Sequence, residues 1–127
     1  MRLADLALIT AGRAVLSLVH SGNWRLVFSG EVDMRDPSEE LLPYLLEVHR
    51  AVLEEKIDLL EVDFSALTFM NSSGLKMLIS WIMEIKDLAP EERYTLRVIH
   101  DPESVWQSSS LPVLRKLLPD HISLVDA

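Results

Sequence analysis

The sequence predicts an α/β fold: a mixed, mainly parallel sheet that starts with an antiparallel hairpin and is covered by about three to four helices. Two observations lead to this prediction. Two short apolar segments flank the Ser-Gly-Asn turn signal at residues 21–23, which is typical of a hairpin. Stretches with helical periodicity then alternate with short apolar strands, which indicates parallel strands joined by right-handed crossovers.

The chain has 127 residues, of which 49% are hydrophobic, so it can bury a core without a metal or disulfides. It contains no repeat, linker or low-complexity run. We therefore expect one domain over residues 1–127, with residues 1–12 as a candidate extra N-terminal segment.

The first two strands are predicted at residues 13–20 and 24–29, where apolar and β-branched side chains dominate. The turn between them predicts that they pair as an antiparallel hairpin. Residues 30–33 follow the second strand, and we expect them to lead into a loop that ends at residues 36–37.

The first helix is predicted over residues 38–56. Glu39 and Glu40 suit its positively polarised N-terminus, and Pro43 lies early enough in the helix to be tolerated. His49 lies on the apolar stripe, and we expect a histidine at the edge of the core with its hydrogen bonds satisfied. The stripe has helical spacing and consists of Leu41, Leu42, Leu45, Val48, Val52 and Leu53.

The remaining elements continue the alternation of strands and helices. The last helical segment is expected in two pieces, because three serines at residues 108–110 interrupt it and Pro112 can begin a second helix. In chain order, we predict a strand at 58–64, a helix at 72–88, a strand at 94–99, the helical segment at 103–118 and a strand at 122–125.

The composition excludes several classes of function. A net charge of −8 argues against nucleic acid and against an anionic membrane surface as partners. The chain has no cysteine, which excludes disulfides, thiol catalysis and thiolate metal sites. The four histidines are far apart in the sequence, so no metal site is expected.

No catalytic constellation appears in the sequence. No histidine has a context that places it near a candidate nucleophile, and the four glycines do not form a phosphate-binding loop. We therefore predict a protein that is not an enzyme and needs no cofactor. The apolar runs are too short for membrane insertion, and the N-terminus lacks the apolar core of a signal peptide, so we expect a cytoplasmic protein.

The most informative segment is the junction between the third predicted strand and the second predicted helix. Residues 67–75, LTFMNSSGL, place two hydroxyls and a glycine at the predicted N-terminus of that helix. Free N–H groups and the helix dipole favour negative charge there, so a phosphate on Ser72 would be tolerated locally. Asn71 and Ser72 are also ordinary N-cap residues, which leaves a purely structural role open.

Two segments resemble motifs of the STAS domain family, which is shared by sulfate transporters and anti-sigma factor antagonists. Residues 28–33, FSGEVD, are similar to the Leu-x-Gly-Glu-Leu-Asp segment that closes the second strand in that family. Residues 62–75, VDFSALTFMNSSGL, are similar to its Val-Asp-Leu segment followed by Phe-x-Asp-Ser-Ser-Gly-Leu. The element order also agrees from about residue 13 onward. The resemblance implies a STAS-type fold and a small bacterial regulator that acts by binding.

In anti-sigma factor antagonists, the serine after the Asp is phosphorylated by an anti-sigma factor with a histidine-kinase-like ATPase fold. The unphosphorylated form binds that kinase and frees the sigma factor, and a serine phosphatase resets the cycle. The resemblance therefore implies Ser72 as the phosphoacceptor, with Ser73 as a second candidate. It also implies partner switching in signal transduction and transcription regulation, with an anti-sigma factor or serine kinase and a serine phosphatase as protein partners.

One departure from the family pattern keeps a second hypothesis open. Asn71 stands where the family usually has Asp, so a charge beside the acceptor is lost while the capping geometry is kept. Some STAS proteins are accessory subunits of a lipid-transport ABC ATPase and have no phosphorylation cycle, which is the alternative function here. A homodimer through the apolar flank of the second helix also stays open.

The predicted partner-binding surface combines the loop after Gly30, the turn at residues 70–74 and the flank of the second helix. Gly30 would serve the bend from strand to loop, and Gly74 would keep the first helical turn uncluttered. Burial under a neighbouring helix is the favoured interpretation of Trp81, with an aromatic anchor at an interface as the alternative. Trp106 stays open between core and interface. The partner-binding candidates are Gly30, Glu31, Asp33, Met70, Asn71, Gly74, Met77 and Trp81.

Overall fold

The structure of the protein is a computed structural model that describes residues 2–127. Short 3-10 turns lie at Leu3–Asp5 and Pro90–Glu92. The helices and strands, in chain order, are β1 (Ile9–Ala11), β2 (Ala14–Ser21), β3 (Asn23–Val32), α1 (Pro37–Glu54), β4 (Leu59–Met70), α2 (Ser72–Lys86), β5 (Thr95–His100), α3 (Val105–Ser110), α4 (Pro112–Leu117) and β6 (Ile122–Asp126).

The six strands form one sheet whose spatial order is the order of the sequence. The pairs β1–β2 and β2–β3 are antiparallel, and the pairs from β3 to β6 are parallel. Helices α1, α2 and α4 pack side by side, as expected when right-handed crossovers join adjacent strands in one direction. The predicted mixed sheet with an N-terminal hairpin is confirmed. The short edge strand β1 was not predicted.

The core lies between the helices and one face of the sheet. Alternate residues of β3, β4 and β5 point into it, and the apolar sides of α1, α2 and α4 cover them. Burying side chains of this size stabilises the fold by about 1.5–3 kcal/mol each. The central strand residues of this layer are Leu26, Phe28, Leu60, Val62, Leu96 and Val98.

A buried polar cluster joins α1, α2 and Tyr94, the residue before β5, within this core. His49 Nδ1 and the Tyr94 hydroxyl lie 2.8 Å apart, and Trp81 Nε1 donates to the same hydroxyl at 3.3 Å. Burial lowers the pKa of His49 from its ordinary value and raises the pKa of Tyr94, so both groups are neutral near neutral pH. The prediction that His49 is a core-edge histidine with satisfied hydrogen bonds is confirmed.

The opposite face of the sheet carries a row of charges across three strands. Arg25, Glu61 and Arg97 are neighbours in the register of β3, β4 and β5. The guanidinium nitrogens of the two arginines lie 3.3 and 3.4 Å from the Glu61 carboxylate, and Asp63 lies 3.7 Å from Arg25. The Glu61 side chain is largely buried but both arginines are partly exposed, so losing these partners would cost about 1–3 kcal/mol.

The ends of β3 and β4 differ from the prediction. β4 continues six residues beyond the predicted end at Phe64, and β3 continues to Val32, so residues 30–32 pair with β4 instead of opening a loop. Register shifts near Ser29 and Gly30 break the two-residue alternation, which is why the sequence pattern ends early. The loop after β3 begins at Asp33.

The other predicted elements agree with the structure to within a few residues. Asp36 caps α1, which begins at Pro37, and the two pieces of the last helical segment meet at Leu111. The described part of residues 1–12 joins the same domain: β1 pairs with β2, Leu3 is buried, and the Leu3 N–H donates to Glu55 Oε2, at the end of α1, at 2.7 Å. Met1 lies outside the described residues.

Gly30 marks a bulge inside β3 and not the bend from strand to loop that was predicted. Its φ is +83°, in the left-handed region, and a Cβ at this position would overlap the Arg13 carbonyl oxygen. Gly22, in the hairpin turn, has the same φ, but no atom lies within 4 Å of the position of its Cβ. Comparing substitutions at the two glycines therefore distinguishes the cost of backbone strain, which both share, from the cost of a close contact, which only Gly30 has.

We expect Gly22→Ala to lower the free energy of unfolding by about 1–2 kcal/mol, because left-handed backbone strain is the main cost. Gly30→Ala should lower it by about 1–3 kcal/mol more, because the new Cβ also displaces the backbone of β2. Urea denaturation of both variants measures the difference. Equal losses would show that the contact between Gly30 and Arg13 does not constrain the strand.

Candidate functional site

The turn after β4 holds the serine that the sequence singled out. Asn71 caps α2, because its Oδ1 accepts a hydrogen bond from the Gly74 N–H at 2.8 Å. Ser72 is the first helical residue and is exposed, whereas Ser73 is half-buried. The expected position at the start of the helix is therefore correct for Ser72, but the capping residue is Asn71.

The Asn71 amide also binds the loop that follows β3. Its Nδ2 donates to the Met34 carbonyl oxygen at 2.8 Å, and its backbone N–H donates to the Val32 carbonyl oxygen at 2.9 Å. A carboxylate can accept the hydrogen bond from Gly74 but has no hydrogen to donate to Met34. The side chain at this position therefore uses both the acceptor and the donor of an amide.

Helix α3 holds the other side of β4. β5 pairs with β4 only as far as Asp63, so the later residues of β4 have no strand neighbour on that side. The buried side chain of Gln107 compensates: its Nε2 donates to the carbonyl oxygens of Phe64 and Leu67 at 2.8 and 3.1 Å. Its Oε1 accepts from the Asp101 N–H at 2.7 Å, and Trp106 Nε1 donates to the Leu67 carbonyl oxygen at 3.0 Å.

A groove of about 160 Å³ lies between the start of α2 and α3. Leu75 and Trp106 supply apolar walls, and both are half-buried. Ser72 lines the groove beside these walls. The full lining is Met70, Asn71, Ser72, Leu75, Trp106 and Ser110. We call this cavity the Ser72 groove.

The predicted residues at the end of β3 lie near this turn. Glu31 is half-buried and pairs with Arg13 at 3.3 Å, and Asp33 is exposed at the start of the loop bound by Asn71. Gly30 and Glu31 follow the register of β4 at Leu67 and Phe69. These residues lie at the end of β3 and in the loop that follows it, beside the turn.

Four predicted partner-binding residues are buried instead. Met77 and Trp81 are 0% and 1% exposed, because α2 lies between α1 and α4 and both of its flanks are covered. The prediction that they contact a partner is wrong, and the favoured interpretation of Trp81 as a core residue is confirmed. Met70 and Gly74 are also buried. A Cβ on Gly74 would lie 2.7 Å from Met70 Cγ, so this glycine allows α2 to pack closely on β4.

Three surface residues near the turn were not predicted as partner-binding residues. Phe69 is 45% exposed at the end of β4, Val105 is 83% exposed at the start of α3, and Leu75 lines the Ser72 groove. Gln107 was also missed. A large apolar residue at the end of a strand or helix is a signal for Phe69 and Val105, but sequence gives no signal for the partners of Gln107.

The described residues restrict the chemistry of the site. Within residues 2–127, no group of three or more His, Asp or Glu side chains could hold a metal ion. No helix in the same part of the chain has the length and apolar character needed to cross a membrane. The chemistry present at the turn is a serine hydroxyl, a capped helix N-terminus and an apolar groove.

Comparison with known proteins supports the fold. No protein-family model and no curated protein sequence matches this chain. A solved anti-sigma factor antagonist from Mycobacterium paratuberculosis matches with a TM-score of 0.54 and 26% identity over 87% of this chain and 88% of its own. The anti-sigma factor antagonist SpoIIAA, in its unphosphorylated form, matches with a TM-score of 0.51 and 18% identity over 88% of each chain.

The chain has the STAS-type fold. Both similar structures are anti-sigma factor antagonists, which are STAS domain proteins, so the fold implied by the two sequence motifs is confirmed. In this chain Ser72, the first serine of the second motif, is exposed at the start of α2. Asn71, the residue before it, is hydrogen-bonded both to Gly74 of α2 and to Met34 of the loop after β3.

We expect Asn71→Asp to release the loop at residues 33–36 while α2 stays capped. The carboxylate keeps the acceptor for Gly74 but leaves the Met34 carbonyl oxygen without its donor, a loss of about 1–3 kcal/mol. Hydrogen–deuterium exchange should become faster at residues 33–36 and stay slow at the Gly74 amide. Asn71→Ala is the control, since it removes both bonds and should expose both sites. An unchanged loop in Asn71→Asp would contradict the role of the Met34 bond.

Proposed function

We propose that this chain is a cytoplasmic regulatory protein that acts by binding another protein, and that phosphorylation of Ser72 switches this binding. One observation carries the proposal: Ser72 is exposed at the first position of α2 in a chain with the STAS-type fold. The similarity to anti-sigma factor antagonists supports a binding role over catalysis.

The backbone around Ser72 supports a phosphate at this position. First-turn N–H groups of a helix lack partners within the helix, and the dipole favours negative charge there. Asn71 occupies the Gly74 N–H and leaves those of Ser72 and Ser73 outside the cap. A phosphoserine with about −1.5 to −2 charges would therefore disturb the fold little.

The surroundings of Ser72 make the same phosphate unfavourable for docking. Ser72 lines the Ser72 groove beside Leu75 and Trp106, so a phosphate there would lie against apolar walls. A partner that covers the phosphate removes its hydrating water, and the apolar walls supply no hydrogen-bond donors in its place. We expect a loss of binding free energy of about 3 kcal/mol, which corresponds to more than a hundredfold in Kd.

The partners in this proposal are a serine kinase of the anti-sigma factor type and a serine phosphatase. The kinase would bind the unphosphorylated form and be released when it has modified Ser72. The balance between kinase and phosphatase would then set the fraction of free kinase.

The test follows the mass of the intact protein after incubation with ATP and a native extract of its source organism. We expect a mass increase of one phosphate for wild type and for Ser73→Ala, and none for Ser72→Ala. Capture from the same extract should recover one kinase with wild type and little of it with Ser72→Asp. An unmodified wild type in an extract with demonstrated serine kinase activity would contradict the switch.

Asn71 favours a second candidate function, a constitutive accessory subunit of a lipid-transport ABC ATPase. Because Asn71 is neutral and bound to Met34, the residue directly before Ser72 offers no carboxylate for a kinase to recognise. In this case wild type and Ser72→Glu should capture the same transporter ATPase in equal amounts. Capture that depends on Ser72 would exclude this candidate.

A further inference from the structure

The Ser72 groove is large enough for one side chain of another molecule. Its volume is about 160 Å³, below the range of about 300–1,000 Å³ that is common for small-molecule sites. Its walls are the Leu75 side chain, the Trp106 indole and the side chain of Met70. An apolar side chain from another molecule can enter such a site, whereas a cofactor cannot be enclosed by it.

The Trp106 wall is fixed in place before any partner arrives. Its Nε1–H donates to the Leu67 carbonyl oxygen, and its ring lies edge-on to Phe64 with 6.2 Å between the ring centroids. A side chain that is already ordered loses less conformational entropy when a partner covers it. Tryptophan in a pre-formed wall is also a residue type that contributes strongly to protein interfaces.

The charged residues in the two segments that adjoin the Ser72 groove are mostly acidic. Asp33 is exposed next to Met34, which Asn71 binds, and Glu103 is exposed in the loop between β5 and α3, three residues before Trp106. Basic residues are fewer in these segments, where Arg35 is present, and Lys76 follows in α2. Acidic residues in the segments beside an apolar groove are complementary to a partner whose basic residues surround the apolar side chain that enters it.

We propose that the Ser72 groove receives one apolar side chain of a protein partner whose surrounding surface is basic. This inference rests on the proposed function, because it names the contact that a phosphate on Ser72 would block. A phosphate on Ser72 would weaken this binding even though the partner is basic. Exposed ion pairs at the border of an interface contribute under about 1 kcal/mol each, whereas burying a phosphate without matched donors costs several kcal/mol. Asp33 and Glu103 also disfavour an anionic membrane or nucleic acid as the occupant.

The probe for this proposal is a short peptide with one leucine flanked by lysines, titrated into the isotope-labelled, unphosphorylated protein. We expect saturable NMR shifts at the Trp106 indole N–H and at the amides of Ser72 and Leu75. A peptide with glutamates in place of the lysines should bind at least about tenfold more weakly. Shifts confined to other surfaces, or equal binding of both peptides, would overturn the proposal.

Two neighbouring serines of α3 provide a matched pair of variants. Ser110 lines the groove, so Ser110→Phe fills it without removing a wall. Ser109 is exposed on the same helix and does not line the groove. We expect Ser110→Phe to weaken the basic peptide at least about tenfold and Ser109→Phe to leave its affinity unchanged. Equal effects of the two variants would contradict the groove as the binding site.

Peptide binding and phosphorylation of Ser72 are measured independently, so failure of the groove proposal can be told apart from failure of the proposed function. Loss of peptide binding in Ser110→Phe with normal phosphorylation of Ser72 supports the groove without testing the kinase. A wild type that is phosphorylated but binds neither peptide overturns the groove and leaves the switch intact. Self-association of the wild type that Ser110→Phe abolishes would make a second copy the occupant and would also overturn the proposal.

Discussion

The length of β4 is the constraint from which the site follows. This strand runs past the end of its neighbour β5, so its later backbone groups on that side must find partners other than a strand. Gln107 and Trp106 donate to the carbonyl oxygens of Phe64 and Leu67 and bring α3 against the strand. The hydrogen bonds to these two carbonyl groups therefore fix the position of α3. Helix α3 in this position forms one side of the groove beside Ser72.

The opposite side of the same strand end is held by one residue. Asn71 caps α2 with its oxygen and binds the loop after β3 with its nitrogen, so the strand, the helix and the loop meet at a single amide. Together with the contacts of Gln107, this arrangement fixes the backbone around the turn. Ser72 remains exposed on this fixed backbone, so adding a charge to its side chain changes the protein surface more than the fold.

The sequence was informative wherever local chemistry decides the structure. The turn at Gly22, the cap region of α2 and the apolar stripe of α1 follow from residue type and spacing, and the two STAS-like motifs led to the correct fold. Tertiary contacts decided the rest. The bulges near Gly30 break strand periodicity, and neighbouring helices bury Trp81 on a flank that periodicity leaves ambiguous. The carbonyl groups bound by Gln107 lie 40 and 43 residues away in sequence, beyond any local pattern.

Hydrogen–deuterium exchange of Gln107→Leu tests the central constraint most directly. Leucine has a similar size but leaves the Phe64 carbonyl and the Asp101 N–H without partners, at about 1–3 kcal/mol for each group. We expect faster exchange in α3 and in the later residues of β4, with Ser109→Ala in the same helix unchanged. Full retention of slow exchange in Gln107→Leu would contradict the role of the Gln107 hydrogen bonds, because α3 would then be held by packing alone.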